Sequence, residues 1–349
     1  DYPRYKQFDF IGITVDSTLD TPDSNVGDGI CNDGSGNCTL RAAIQEANSN
    51  PDASTILFNI TGTPSFTNNS QPGYTISPTS ALPNITEQLT IDGYSQPGAQ
   101  ANTAVAPEPL NGTLLIELDG SNTTSANGFS VAGDGTEIRG LVINRFDGQG
   151  LSIEADNISA QGNYIGTDPT GLIDRGNDGG GIMQGADDSE NLQVGGLSPE
   201  DRNIISGNEN GGSSPNTGSN HWTYQGNYIG LGADGLTSIP NNQIGGSGAL
   251  SLDNSDDHVV GGTQTGAINV IGANLGHGIA PHNSDNLLIE GNYIGLGYDG
   301  TTILGSGSTG FGSGIALSSS NNVTIKNNRV AGWATGGINI NGSNSSVMV

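Results

Sequence analysis

Positive charge is what this chain most conspicuously lacks. Nine Lys and Arg stand against 35 Asp and Glu in 349 residues, a net charge of −26. A nucleic acid backbone is gripped by clustered Lys and Arg, so nucleic acid is excluded as a partner. Long apolar runs are also missing. No stretch of 18 apolar residues exists, so the sequence offers no membrane-spanning helix. Aromatic residues make up only 5%, which suits thin layers packed with aliphatic side chains. Cysteine is limited to Cys31 and Cys38. With no further Cys or His close by they make a poor zinc site. In a segment rich in Gly and Asp they read as a local disulfide, which implies an oxidising compartment. The chain opens at Asp1 on polar sequence, as expected of a secreted protein that has already been processed.

Glycine, by contrast, is abundant, at 57 residues. Much of it falls in repeats. Gly-Asn-Tyr-Ile-Gly occurs at Gly162–Gly166, Gly226–Gly230 and Gly291–Gly295, with starts 64 and 65 residues apart. Smaller echoes lie between: Val194-Gly195-Gly196, Ile244-Gly245-Gly246 and Val260-Gly261-Gly262, and Asn203-Ile204-Ile205 with Asn269-Val270-Ile271. The segments between glycines are aliphatic and three to five residues long, such as Leu192-Gln193-Val194, Leu287-Leu288-Ile289 and Val323-Thr324-Ile325. Short β-branched runs bounded by Gly, Asn, Asp and Ser predict short strands joined by tight turns. Repetition at this period predicts a solenoid, and the economical one is a parallel β-helix. A 64-residue period suggests three coils of roughly 21 residues each. Inward Ile, Leu and Val would stack into ladders, and turn Asn residues would bond along the axis.

Along the chain, residues 1–15 read as an N-terminal arm and first strand, 16–110 as a cap region and 111–349 as the repeats. The first ten residues hold Tyr2, Tyr5, Phe8 and Phe10 with Arg4 and Lys6, an aromatic and basic arm suited to docking on an acidic neighbouring molecule. Asp20, Asp23, Asn25 and Asp28 place oxygen donors at close spacing between glycines, so Ca²⁺ is a candidate ligand there. Thr39–Asn48 is the one amphipathic helix. Thr39 is its N-cap, Leu40, Ala43, Ile44 and Ala47 form one apolar stripe, and Asn48 suits its C-terminal cap. Such a helix can cover the open end of a first coil. Residues 211–220 read as a loop extension, and Ser346–Val349 as a terminal strand left bare.

Cys38-Thr39-Leu40-Arg41-Ala42-Ala43-Ile44-Gln45-Glu46-Ala47-Asn48, preceded by Gly27-Asp28-Gly29-Ile30-Cys31, resembles the N-terminal segment of CSLREA-type secreted bacterial proteins. Thr39 stands for their Ser, and Ala42 for their Glu. Leu82-Pro83-Asn84-Ile85-Thr86, Thr90–Ala99 and the Gly-Asn-Tyr-Ile-Gly copies share the likeness. The resemblance implies an all-β, right-handed parallel β-helix behind a capping helix. It carries over no catalytic residues.

β-Helices also host polysaccharide-degrading enzymes, and fragments of a hydrolase signature are present. Asp256-Asp257, Gly276-His277-Gly278 and Lys326 follow a hydrolase order. However, Gly-x-Gly before an aliphatic residue is itself a repeat feature, with Gln149 and Ser313 in the place of His277. His258 and His282 lie close to the Asp pairs, which makes metal binding an alternative, but they read first as turn residues on a solvated edge. The expectation is a non-catalytic extracellular surface protein that assembles head to tail with copies of itself. The alternatives are a polysaccharide-acting enzyme and a glycan-binding adhesin.

Overall fold

The computed structural model describes residues 11–186, 188–241, 248–305 and 312–349. Their strands form three sheets. The first has ten strands and runs from Ile11–Val15, through Ser54–Phe58 and Leu89–Asp92, to Thr324–Lys326. The second has ten and runs from Phe66–Asn68 and Gln71–Ile76 to Arg329–Val330. The third has eight and runs from Phe129–Val131 to Gly336–Asn341. Among the described strands, the hairpin of Phe66–Asn68 and Gln71–Ile76 is antiparallel and the other ladders are parallel. The chain visits the sheets in rotation, which defines a parallel β-helix, as the short aliphatic runs predicted.

The coil length differs from expectation. Successive strands of the first sheet begin at Ser159, Gln193, Thr223, Val259, Leu288 and Thr324. The 64 residues from Ser159 to Thr223 therefore span two coils, not three. Every second coil is lengthened by an excursion that follows Gly-Asn-Tyr-Ile-Gly. Bridges Thr167–Asp174, Leu231–Ser238 and Leu296–Ile303 close these excursions. At their turns Asp168, Asp234 and Asp299 accept backbone N–H groups from the residues that follow, the local bonding that makes Asp a turn residue.

The Tyr-Ile pair of each repeat is a strand of the second sheet, and its two side chains part company there because strand residues alternate faces. Ile165, Ile205, Ile229, Ile271 and Ile294 stack in register and are buried inside the coils. Each contributes roughly 1.5–3 kcal/mol by burial. Tyr164, Tyr228 and Tyr293 form the alternate row with Ile204 and Val270, and cluster with Leu231 and Ala233 of an excursion.

Asn stacking also holds. Asn203, Asn227, Asn269, Asn292 and Asn328 each pass an amide to the next at 2.9–3.0 Å. Asn177, Asn208, Asn241 and Asn274 form a second file at 2.9–3.1 Å. The glycines of Val260-Gly261-Gly262 have a local cause. Gly261 turns with φ +88°, and a side chain there would run into the Glu290 carbonyl of the next coil.

The helix occupies Leu40–Asn48 and packs on strands Ile11–Val15 and Ser54–Phe58. The Thr39 hydroxyl accepts from the Ala42 N–H at 3.0 Å, and the expected stripe is buried. The helix is capped one residue later than expected, at Ser49. Cys31 and Cys38 are disulfide-bonded. Residues 211–220 are not an extension. Ser213–Ser214 is a strand of the third sheet and both residues are buried. The final residues do not form a strand either, and pair through the bridges Asn321–Ser345 and Thr324–Met348. The arm residues Tyr2, Arg4, Tyr5, Lys6, Phe8 and Phe10 lie outside the described residues, as does Ile244-Gly245-Gly246.

Candidate functional site

The outer face of the third sheet carries a trough of about 310 Å³ over strands Gly248–Asp253, His277–His282, Ser313–Ser318 and Gly336–Asn341. Strand alternation builds it. Leu250 and Leu252 stack on Ile279 and Pro281, then Ile315 and Leu317, facing the core. The residues between them face out. Ser251 and Ala280 are small and leave the middle of the face low. Asp253, His282, Ser318 and Asn341 form one polar file across it, a residue per coil. Parallel strands place successive members about 4.8 Å apart. His277 borders the trough at the start of the strand that His282 ends.

The polar groups differ in state. The Ser313 N–H donates to His277 Nδ1 at 2.9 Å. That nitrogen is therefore bare, and the ring proton of the neutral imidazole sits on Nε2. Burial lowers the His277 pKa, which favours this neutral form. Burial also raises the Asp253 carboxyl above its ordinary value, opposed by the nearby His282 and by the Ser251 hydroxyl at 3.4 Å. His282 is exposed. The trough thus offers an imidazole donor, a carboxylate acceptor and hydroxyl and amide groups of both kinds. Such a set matches a ligand rich in hydroxyl groups, whose oxygens both donate and accept.

The hydrolase constellation does not assemble. His277 is in the trough, but Lys326 ends a strand of the first sheet, with Nζ 3.5 Å from Glu290 Oε1. Asp256 and Asp257 lie in the turn between the third and first sheets. Asp256 Oδ1 accepts from the Asp285 N–H at 2.7 Å, and Asp257 lies 3.9 Å from His221. His258 is not on a solvated edge. It is buried, accepting from the Trp222 N–H at 3.1 Å and bonded to the Ser255 hydroxyl at 2.9 Å.

The four calcium candidates are engaged within the fold. Asp20 pairs with Arg41 at 2.9 Å and accepts from the Thr79 N–H. Asp23 accepts from the N–H groups of Asn25 and Asn32, and Asp28 from Asn25 Nδ2 and the Ile30 N–H. Glu46, from the helix, accepts from the N–H groups of Gly27 and Gly29. Among the described residues no three acidic, His or Cys side chains converge as a metal cage.

A wider groove of about 590 Å³ lies beside the excursions, along Leu110, Tyr164, Leu172 and Ala233. Its carboxylate, Asp234, caps its own turn through Thr237, which leaves the groove with little chemistry to offer. Sequence reasoning missed Asp253 and gave His282 no partner. The readable signal was position. Leu250-x-Leu252-Asp253 and Ile279-x-Pro281-His282 place both as the last outward residue of neighbouring coils.

No protein-family model and no curated protein sequence matches the chain, so no family is shown for it and the expected kinship with CSLREA-type proteins finds no support in these comparisons. Among solved structures, the A-module of Azotobacter vinelandii mannuronan C-5 epimerase AlgE6 is 13% identical. It covers 93% of this chain and 94% of its own, with a TM-score of 0.39. The A-module of AlgE4 from the same organism is 11% identical over the same shares, with a TM-score of 0.37. The Dettilon tailspike protein is 12% identical over 96% of this chain and 59% of its own, with a TM-score of 0.34. At these values the likenesses carry no argument about this chain, whose parallel β-helix rests on its own sheet topology.

Proposed function

We propose that this is an extracellular surface protein that holds a glycan in the trough of its third sheet without cleaving it. The observation that carries this reading is the gathering of Asp253, His277 and His282 on one face, where coil stacking places donors and acceptors in a file. The Cys31–Cys38 disulfide supports an oxidising exterior. Binding without turnover is supported by the carboxylates present. Glycoside hydrolysis uses two carboxyl groups flanking the scissile bond, and among the described residues Asp253 is the only carboxylate lining the trough.

The test is retention of the full chain on a panel of polysaccharides, with new reducing ends and unsaturated products measured in the same samples. Retention without products, lost in Asp253→Ala and His277→Ala, is the expected result. Products that vanish in those variants would replace binding by catalysis. Retention that survives both variants would place the binding surface elsewhere.

A further inference from the structure

The charges around the trough say what kind of glycan it can hold. A polyuronate or sulfated chain brings one negative charge per sugar or more, and its proteins meet that charge with Lys or Arg. Among the described residues no Lys or Arg lines this trough. The described cations are committed elsewhere. Arg139, Arg145, Arg175 and Lys326 pair with Asp92, Asp119, Glu117 and Glu290 on the other two sheets and their turns. Arg41 pairs with Asp20 beside the helix. Arg202 and Arg329 lie over the rings of Tyr228 and Tyr293 on the second sheet.

Residues 242–247 and 306–311, which lead into two of the trough's strands, contain no charged residue in the sequence. The remaining cations, Arg4 and Lys6, precede the strand Ile11–Val15, and the trough is built from the last four strands of the third sheet. The trough's own fixed charge is negative, at Asp253, within a chain of net charge −26. His277 is held in its neutral form by the Ser313 N–H, so it offers a donor but no positive charge.

We infer that the glycan held between Asp253, His277 and His282 is one without carboxylate or sulfate groups, a chain of hydroxyl-bearing sugars. The inference rests on the glycan-binding reading above and narrows it. An acidic chain would face the Asp253 carboxylate with no Lys or Arg among the described trough residues to offset it, and like charges brought together oppose binding strongly. An uncharged chain meets hydrogen-bonding groups alone, so its binding should also be nearly independent of salt.

The test measures affinity of the full-length protein for two probes of matched length, an uncharged mannan and a polymannuronate, at low and at high salt. The expected result is binding of the mannan that is insensitive to salt and roughly tenfold or more tighter than that of the polyuronate. Ser318→Lys and Asn341→Lys, separately, place a cation in the polar file. Each should raise polyuronate affinity, most at low salt, while melting temperature reports whether the fold is kept. Polyuronate binding equal to or tighter than mannan binding, and lost in His277→Ala, overturns the inference while leaving the trough a glycan site. Failure of every glycan to bind overturns the glycan-binding reading, and this inference falls with it.

Discussion

Asp253 and His282 are register partners on the outer face of the third sheet, each the last residue of its strand, in adjacent coils. His282 opposes the burial that raises the Asp253 carboxyl. Losing one hydrogen-bonding partner of a ligand costs about 1–1.5 kcal/mol, or roughly tenfold in affinity. Asp253→Asn keeps the shape and an acceptor, and should weaken glycan binding less than Asp253→Ala. Titration calorimetry of both, with melting temperatures alongside, would check this. Equal affinity in all three proteins would remove Asp253 from the site.

The interior was more legible in the sequence than the trough, for a physical reason. Core positions repeat because every coil solves the same packing problem. Hence Ile165, Ile229 and Ile294 announced themselves, and the Asn files followed from turn positions. The count of coils was missed because Gly-Asn-Tyr-Ile-Gly marks only alternate coils. Its counterparts Asn203-Ile204-Ile205 and Asn269-Val270-Ile271 occupy the same register with a different spelling. The trough breaks periodicity, since its polar row holds a different residue in each coil, Asp253, His282, Ser318 and Asn341. A pattern search keeps what recurs and so passes over such a site. His277 stood out by its flanking glycines, yet its grouping with Asp256, Asp257 and Lys326 ignored that a coil sends successive segments to different faces.

Asn227 sits mid-file. Its amide donates to the Val194 carbonyl at 2.9 Å and to Asn269 Oδ1 at 3.0 Å, while its own Oδ1 accepts from Asn203 Nδ2 at 3.0 Å. Asn227→Ala would strand buried polar groups on both neighbouring coils. Each such orphan costs about 1–3 kcal/mol, so a loss of about 3 kcal/mol in urea unfolding is expected. Asn328, at the edge of the file and only partly buried, should cost clearly less when replaced by Ala. Equal losses would mean that the file does not act through burial.

His258 gives the fold a pH dependence. Burial lowers its pKa to about 4, with His221 adding to the effect and Glu190 opposing it. The Trp222 N–H donates to its Nδ1, which only the unprotonated ring can accept. The folded value lies below that of the unfolded chain, about 6.5. Between these values the unfolded chain binds the proton first, so the contribution is complete above about pH 6.5 and is lost as pH falls toward 4. The loss is of the order of 3 kcal/mol. Urea unfolding at several pH values should show it in the native protein and a flatter profile in His258→Gln. Parallel profiles would acquit His258.

The acidic turn beside the helix separates two uses of carboxylates. A Ca²⁺ loop gathers carboxylate and amide oxygens such as those of Asp20, Asp23, Asn25 and Asp28 around a common centre. Here Asp20 is paired with Arg41, and Asp23 and Asp28 accept hydrogen bonds from within the loop. Glu46 adds the decisive contact. It is buried in the helix face, and its carboxylate gathers the N–H groups of Gly27 and Gly29. Hydrogen bonds to a charged acceptor contribute about 1.5–3 kcal/mol each, and a buried carboxylate left without them is costly. The turn is therefore held by Glu46 from the helix side. Chelation with EDTA should leave the melting temperature unchanged, while Glu46→Ala should lower stability by about 3 kcal/mol. A clear fall in melting temperature on chelation, restored by Ca²⁺ alone, would reverse this assignment and make the turn a cation site.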